Sequence, residues 1–287
     1  MVGRIVGAVI AASVAVAAAP AGAATLELRD VAARVTVIPE DRADISVNVI
    51  RTHPRLPIRV DVGGDGRTIL DGPLMRHGWP PLVGGVMGCP GNGAGRGLWI
   101  WGVGTVSNED LPVVVVHTPR QIAVWSSGAV LGAVGPSHAL VLQVGGCDTW
   151  TLGNVDGDLA VRYAGSGAVR AGSAGRADLD IAGSGDIVLG EARNGLTAHI
   201  GGSGSVRAAS VSGPTQVAIS GSGKVIIDGG RATLLSARIS GSGEIADRGV
   251  AEALDATISG SGNLVVAKVT GRVSKSISGS GKVRIGP

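Results

Sequence analysis

A short motif, Gly-Ser-Gly, recurs through the second half of the chain at a nearly constant interval. Successive copies are 18, 19, 19, 20, 19 and 19 residues apart, and their central serines are Ser166, Ser184, Ser203, Ser222, Ser242, Ser261 and Ser280. Two degenerate copies precede them, Ser126-Ser127-Gly128 and Gly146-Cys147-Asp148. A period of this kind is typical of repeat proteins, in which each repeat packs only on its neighbours.

Each copy is flanked by apolar residues at alternate positions. The column two residues after the triplet is Val130, Trp150, Val169, Ile187, Val206, Val225, Ile245, Leu264 and Val283. The column two residues before it is Val124, Val144, Tyr163, Ile181, Ile200, Ile219, Ile239, Ile258 and Ile277. A third column begins at Gly132 and ends at Ile285. Alternation of this kind predicts β-strands with one buried face.

Each unit is therefore interpreted as a strand, a tight Gly-Ser-Gly corner, a second strand and a looser polar turn. Because no unit can bury its apolar face alone, we expect about nine units to stack into a parallel β-helix, an all-β fold. The seven serines are interpreted as structural corner residues rather than nucleophiles, since none stands in a nucleophile elbow and the five His show no partnered pattern. A flexible Gly/Ser linker would not carry aligned aliphatic columns.

The first 23 residues have the pattern of a signal peptide. Arg4 precedes an apolar run from Ile5 to Ala19, Pro20 ends the run, and Ala21-Gly22-Ala23 fits a signal peptidase site. The alternative is an uncleaved membrane anchor, but a run of about 15 residues is shorter than the roughly 20 that span a bilayer. We therefore expect an exported protein, periplasmic or extracellular at the cell surface, with no transmembrane segment in the mature chain.

The remaining chain divides into three predicted regions. Residues 24–62 have strand character and are predicted to form an N-terminal β cap, because an open solenoid end would expose sheet edges. Residues 63–110 are rich in Gly and Pro and are predicted to be a loop or insertion. Residues 111–287 contain the repeats.

The cysteines and aromatic residues are few. Cys89 and Cys147 are the two cysteines; an oxidising compartment would let them pair, and two unpaired buried thiols are the alternative. The loop region holds Trp79, Trp99 and Trp101, half of all aromatic residues in the chain. These three rings are candidate ligand contacts, although we favour the interpretation that they plug the narrow end of the solenoid.

Composition excludes several functions. The formal net charge is +3 and no basic run exceeds two residues, so the chain lacks the features of a nucleic-acid binder. No spacing of Cys and His fits a metal site, and no motif indicates a cofactor. Stacking is expected to align Asp186, Ser205, Lys224 and Glu244 in one outer column, where Lys224 and Glu244 would form a surface ion pair. No convergent acid–base pair emerges, so we expect no enzymatic activity.

The recurring Ile-Ser-Gly-Ser-Gly-x-aliphatic segments, Ile219–Val225, Ile239–Ile245, Ile258–Leu264 and Ile277–Val283, resemble the auto-transporter adhesin head (GIN) domain family of secreted bacterial proteins. The resemblance covers about residues 25–287 and implies a right-handed β-helix. It also implies a non-catalytic cell-envelope binding or adhesin-like module, whose partner would be a cell-surface glycan or an envelope protein. A structural envelope protein is the nearer alternative, and a β-helix polysaccharide lyase or hydrolase the more distant one.

Overall fold

The computed structural model describes residues 23–63, 66–74, 86–88 and 97–286, with only the main chain described for 86–88. Within these residues every regular element is a β-strand. The N-terminal strands are β1 (Ala24–Glu40), β2 (Ser46–Arg51), β3 (Arg59–Val62), β4 (Thr68–Asp71), β5 (Val86–Gly88), β6 (Gly97–Ile100) and β7 (Gly104–Ser107). The predicted signal peptide over residues 1–23 lies outside the described residues except for Ala23.

The remaining strands build the repeats. They are β8 (Val113–Pro119), β9 (Gln121–Val134), β10 (Ala139–Gly146), β11 (Thr149–Leu152), β12 (Val155–Gly165), β13 (Ala168–Ala171), β14 (Ala174–Ile181), β15 (Asp186–Ala192), β16 (Leu196–Gly202), β17 (Ser205–Gly221), β18 (Lys224–Ile227), β19 (Gly230–Gly241), β20 (Glu244–Ala251), β21 (Leu254–Gly260), β22 (Asn263–Val269), β23 (Val273–Gly279) and β24 (Lys282–Ile285). From β9 to β22 each strand pairs in parallel with its counterpart one coil later, as Ile219 does with Ile239 and Ile239 with Ile258. The predicted all-β solenoid of about nine coils with 19-residue spacing is confirmed.

The predicted apolar columns form one continuous core. From Ile181 to Ile258 every residue of the column before the triplet is at most 2% exposed. The column after the triplet includes Trp150, which is fully buried and packs on Gly132. A Cβ at residue 132 would overlap the indole ring. Only in the last coil does this pattern weaken, since Ile277 and Ile285 are 44% and 39% exposed. Burial of these aliphatic side chains is the main source of stability, at about 25 cal/mol per Å² removed from water.

Each regular coil has three sides, whereas the sequence predicted two strands and a polar turn. The first side follows the corner, as in β18, and the third side leads to the next corner, as in β21. Between them a short second side also pairs in parallel, for example Ala174 with Ala192. Its inward residues are small and buried, namely Val155, Ala174, Ala192, Val211, Ala232 and Ala251. The expectation of a looser turn was therefore wrong for this side.

The first degenerate corner lies two residues later than predicted. The register pairs Gly146 with both Gly128 and Gly165, so the corner before Gly146-Cys147-Asp148 is Gly128-Ala129-Val130. The residue that aligns with Val144 is accordingly Ser126, and Val124 aligns with Leu142. Val130 fits because the third corner position faces the interior, where an apolar side chain can be buried.

Strand β1 belongs to the parallel stack, which differs from the predicted boundary of the cap at residue 62. On one side it pairs with β4 and β8, and on the other with β9, in each case in parallel. Strands β2 and β3 do have the cap geometry, since they pair antiparallel with β8 and β4 at the outer edge. The chain thus places its first strand inside the stack and then folds back to cover the N-terminal end.

The predicted loop or insertion at 63–110 contains ordered structure. Strand β4 lies in the stack, and β5, β6 and β7 form a separate three-stranded antiparallel sheet. Buried Leu98 and Ile100 of β6 pack with Leu56 and with the corner residues Ala32 and Ala129 in a second, smaller core. This sheet is therefore fixed to the side of the solenoid by apolar contacts.

Candidate functional site

A groove of about 620 Å³ runs across the outer face of the third side near the N-terminal end. We call it the Trp125 groove. One wall is made of outward side chains from successive coils, Glu27, Trp125, Gln143, Arg162 and Asp180, and the floor of small residues beside them, Ser127, Gly145, Ala164 and Ala182. A cavity of this size is within the range of small-molecule binding sites.

Strand register explains why these side chains meet. Glu27 pairs with Trp125, Trp125 with Gln143, Gln143 with Arg162, and Arg162 with Asp180. Because alternate residues of a strand point to opposite faces, all five project outward while the residues between them are buried. The groove thus collects residues that are up to 153 positions apart in the chain (from 27 to 180).

Trp125 lies between charged and polar neighbours. The guanidinium carbon of Arg67 lies 5.3 Å from the centre of the indole, a cation–π distance. Arg67 is also 3.7 Å from Glu27 Oε2, and Arg29 Nη2 lies 2.8 Å from Glu27 Oε1. The indole Nε1 of Trp125 is buried and has no hydrogen-bond partner in the structure. One face of the ring is therefore held, and one polar atom beside the groove is unsatisfied.

At the other end of the groove a single arginine engages two carboxylates. Arg162 Nη2 donates to Asp178 Oδ2 at 2.7 Å, and Arg162 Nε lies 3.9 Å from Asp180 Oδ2. Asp178, Asp180 and Asp186 lie close together in the sequence. The structure joins the first two through Arg162, whereas Asp186 lies on the first side and accepts a hydrogen bond from Ser205 Oγ at 2.5 Å.

A buried carboxylic acid lies directly behind the groove floor. The side chain of Asp148 accepts hydrogen bonds from Val130 N–H at 2.7 Å and from Ser126 Oγ, and Tyr163 Oη donates to its main-chain oxygen at 2.7 Å. Burial raises the pKa of Asp148 to about 6, opposed in part by the hydrogen bonds from Ser126 and Val130. Burial, with the nearby Asp148 charge, raises the pKa of Tyr163 above its ordinary value.

The Ser126–Asp148 pair replaces a packing arrangement used elsewhere. In later coils the third corner residue is Gly, and a Cβ at Gly223 or Gly243 would lie 2.6 Å from Ile200 or Ile219 of the preceding coil. Asp148 occupies this corner position, and the residue in the place of that isoleucine is the much smaller Ser126. Asp148 and Ser126 thus replace the glycine and the isoleucine of later coils together, and the hydrogen bond between them stiffens the corner beside the groove.

The predicted corner serines all lie at the surface. Ser166, Ser184, Ser203, Ser222, Ser242, Ser261 and Ser280 are exposed, each next to a buried Gly or a half-buried one. Their main chain holds the stack, as where Ser222 N–H donates to Gly202 O at 3.0 Å and Ser242 N–H to Gly221 O at 2.9 Å. The predicted outer-column ion pair is also present, with Lys224 Nζ 3.0 Å from Glu244 Oε2.

Two of the three predicted aromatic candidates are described, and they do not plug the solenoid. Trp99 and Trp101 are 40% and 54% exposed and meet edge to face with ring centres 6.0 Å apart. The favoured expectation that they are buried is therefore wrong for these two residues, because β6 turns Leu98 and Ile100 inward instead. Trp79 lies outside the described residues.

The predicted disulfide stays a prediction, because Cys89 lies outside the described residues. Cys147 is not a free thiol in the structure, and its N–H donates to Gly128 O at 3.2 Å within the corner. We expect both cysteines of the exported protein to resist alkylation until a reductant is added. Intact mass after alkylation, with and without reductant, measures this, and two labelled thiols in the unreduced protein would contradict it.

No group of three or more His, Cys, Asp or Glu side chains in the described ranges is placed to hold a metal ion. None of the described segments forms a helix long and apolar enough to cross a membrane.

The fold and the groove define a β-solenoid with a lateral groove. Residues 198–287 match the family described as "Putative auto-transporter adhesin, head GIN domain", which confirms the predicted resemblance for this part of the chain. The match is shorter than the expected 25–287 and lies beyond the groove. A search of curated proteins finds no match.

One solved structure is similar, described as "Putative lipid binding protein from Parabacteroides distasonis". The similarity covers 92% of each chain at 20% identity, with a TM-score of 0.49. At that level of similarity it carries no argument about function.

Sequence reasoning missed the groove. The aromatic candidates from the sequence are Trp79, Trp99 and Trp101, and Trp125 is not among them. The available signal was that the outward position before the corner, polar or small in most coils, carries an indole in one coil.

Proposed function

We propose that the chain is an exported, non-catalytic binding module of the bacterial cell envelope that holds its ligand in the Trp125 groove. The observation that carries the proposal is the groove itself, about 620 Å³ with an indole, an amide and a guanidinium on one rigid wall. Parallel strands hydrogen-bonded on both sides fix the wall, so little conformational entropy is lost when a ligand binds.

Export is supported by two independent features. The first 23 residues have the three-part pattern of a signal peptide. The family matched by residues 198–287 is described as an adhesin head, which suggests a surface or exported location.

Binding without catalysis is favoured by how the groove carboxylates are engaged. Glu27 is tied to Arg29, and Asp178 and Asp180 both face Arg162. A general acid or nucleophile needs a carboxyl group that is directed at the substrate, and a glycosidase needs two of them. Asp148 has a raised pKa, but its oxygens are fully buried behind the floor and hydrogen-bonded to Ser126 and Val130.

The test is retention of cell-envelope material by immobilised mature protein. We expect the wild type to retain material from envelope fractions or from a glycan panel, and the Trp125→Ala variant to lose at least about tenfold in affinity because the ring forms the wall. Trp101→Ala is the matched control, since it removes an exposed indole that does not line the groove.

Three outcomes would contradict the proposal. Equal retention by wild type and Trp125→Ala, with equal melting temperatures, would exclude the groove as the binding site. Retention of nothing by the wild type would favour the structural envelope protein. Release of reducing or unsaturated sugar ends from a polysaccharide, lost on a single Asp or Glu substitution, would favour the enzyme.

A further inference from the structure

We propose that the ligand of the Trp125 groove is a linear, uncharged glycan chain lying along the solenoid axis, with about one sugar unit on each strand. The inference rests on the proposed function and adds the class, the orientation and the length of the ligand. Three properties of the groove carry it: its spacing, the chemistry of its wall and its charge balance.

The spacing of the wall residues suits a polymer. Glu27, Trp125, Gln143, Arg162 and Asp180 stand on five consecutive strands of one parallel sheet. Neighbouring strands are about 4.8 Å apart, so the wall extends about 19 Å from first to last. One ring and its linkage in an extended polysaccharide advance by about one strand spacing. Successive sugar units can therefore meet successive side chains in the same register.

The wall offers the groups that recognise sugars. Trp125 presents an indole, whose face packs on the C–H face of a pyranose ring. Gln143 supplies a donor and an acceptor, Arg162 supplies donors, and Asp180 supplies acceptors for hydroxyl groups. The floor residues Gly145, Ala164 and Ala182 are small, which leaves room for rings to lie close to the main chain.

The charges of the ion-paired groups at the groove balance one another. The carboxylates of Glu27, Asp178 and Asp180 are matched by three guanidinium groups. These partners are Arg29, Arg67 and Arg162. An anionic polymer would meet the carboxylates and a cationic one the guanidiniums, so neither gains the net attraction that binds charged polymers. An uncharged polymer with many hydroxyl groups avoids both penalties.

An acyl chain is disfavoured by the same wall. It would cover the polar groups of Gln143, Arg162 and Asp180 without offering hydrogen bonds, and each buried polar group left unpaired costs about 1–3 kcal/mol. A glycan replaces the lost water contacts with its hydroxyl groups. Lipid is therefore the alternative that the experiment must separate.

The experiment measures dissociation constants by isothermal titration calorimetry with the full mature protein. The probes are neutral cello-, chito- and manno-oligosaccharides of one to six units, with palmitate and alginate oligomers as comparison ligands. We expect one neutral series to bind, with affinity rising about tenfold or more between two and four units and then levelling off as the wall is filled.

Matched variants locate the site. Trp125→Ala and Gln143→Ala should each weaken binding of the four-unit oligomer about tenfold. Arg238→Ala should leave it unchanged, because Arg238 lies in the same outward column three coils beyond Asp180 and outside the groove. Melting temperatures of all three variants check that the fold is retained.

The inference is overturned if no neutral series binds, if affinity does not depend on length, or if palmitate or alginate binds more tightly. It is also overturned if Arg238→Ala weakens binding as much as Gln143→Ala. Trp125-dependent retention of an envelope component without binding of any neutral oligosaccharide would reject this inference and leave the proposed function intact. Loss of all Trp125-dependent retention would reject the proposed function itself.

Discussion

Replacing Gly241 with valine is expected to lower the free energy of unfolding by about 3–5 kcal/mol. The residue has φ of +123°, and a Cβ there would lie 2.5 Å from the main-chain oxygen of Gly221 in the preceding coil. A β-branched side chain must therefore either strain the corner or push the two coils apart, which breaks strand hydrogen bonds. Urea unfolding followed by far-UV circular dichroism measures the change.

The neighbouring serine provides the control. Ser242 is exposed, and its contribution to the stack comes from its main-chain N–H, so Ser242→Ala should change stability by no more than about 0.5 kcal/mol. If Ser242→Ala destabilised the protein as much as Gly241→Val, the corner would depend on the hydroxyl group and the argument from backbone conformation would be wrong.

Replacing Asp148 with asparagine is expected to remove a pH dependence of about 3 kcal/mol. The pKa of Asp148 is raised from 3.8 to about 6 in the folded protein. Between these two values the folded state therefore binds more protons than the unfolded state, and this group's contribution to stability falls as pH rises. Asparagine can keep the hydrogen bonds to Val130 and Ser126 without a charge. The stability of the variant relative to the wild type should therefore increase as pH rises through this range.

The measurement is the unfolding free energy of both proteins from pH 4 to pH 8. The unfolding free energy of the variant minus that of the wild type should increase by about 3 kcal/mol as pH rises, and should then stay level above pH 7. Asp158→Asn, which removes an exposed carboxylate, should follow the wild-type curve. Parallel curves for Asp148→Asn and wild type would show that Asp148 does not titrate in the folded core.

The coils themselves were predictable, because aliphatic side chains at alternate positions leave a periodic trace. The second side of each coil was not, since its inward residues are mostly alanine, such as Ala174 and Ala192, which do not stand out against polar neighbours. The place of β1 was also hidden. Its corner residue, Asp30, has φ of +53° without the glycine that marks other corners, and its partner β9 is 97 or 98 residues away in the chain.

The groove could be predicted only in part. The outward column from Asp186 to Glu244 was aligned correctly from the repeat period, and the same reasoning applied to the third side would have aligned Gln143 with Arg162. Trp125 would have been misplaced, because the first corner was set two residues early. The charge balance with Arg67 depends on a segment that has no repeat and whose position follows from tertiary packing alone.

Because β1 lies between β8 and β9, the N-terminal end of the solenoid must assemble differently from the later coils, and only the later end can be extended coil by coil. Strand β1 pairs with β4 42 residues later, with β8 79 residues later and with β9 97 or 98 residues later, so the N-terminal coils form by long-range contacts, which are slow. Every later coil adds to a finished template by contacts about 19 residues apart. Whole coils can therefore be deleted or duplicated downstream of the groove without disturbing it. The number of repeats then sets the length of the solenoid independently of the recognition surface that it presents.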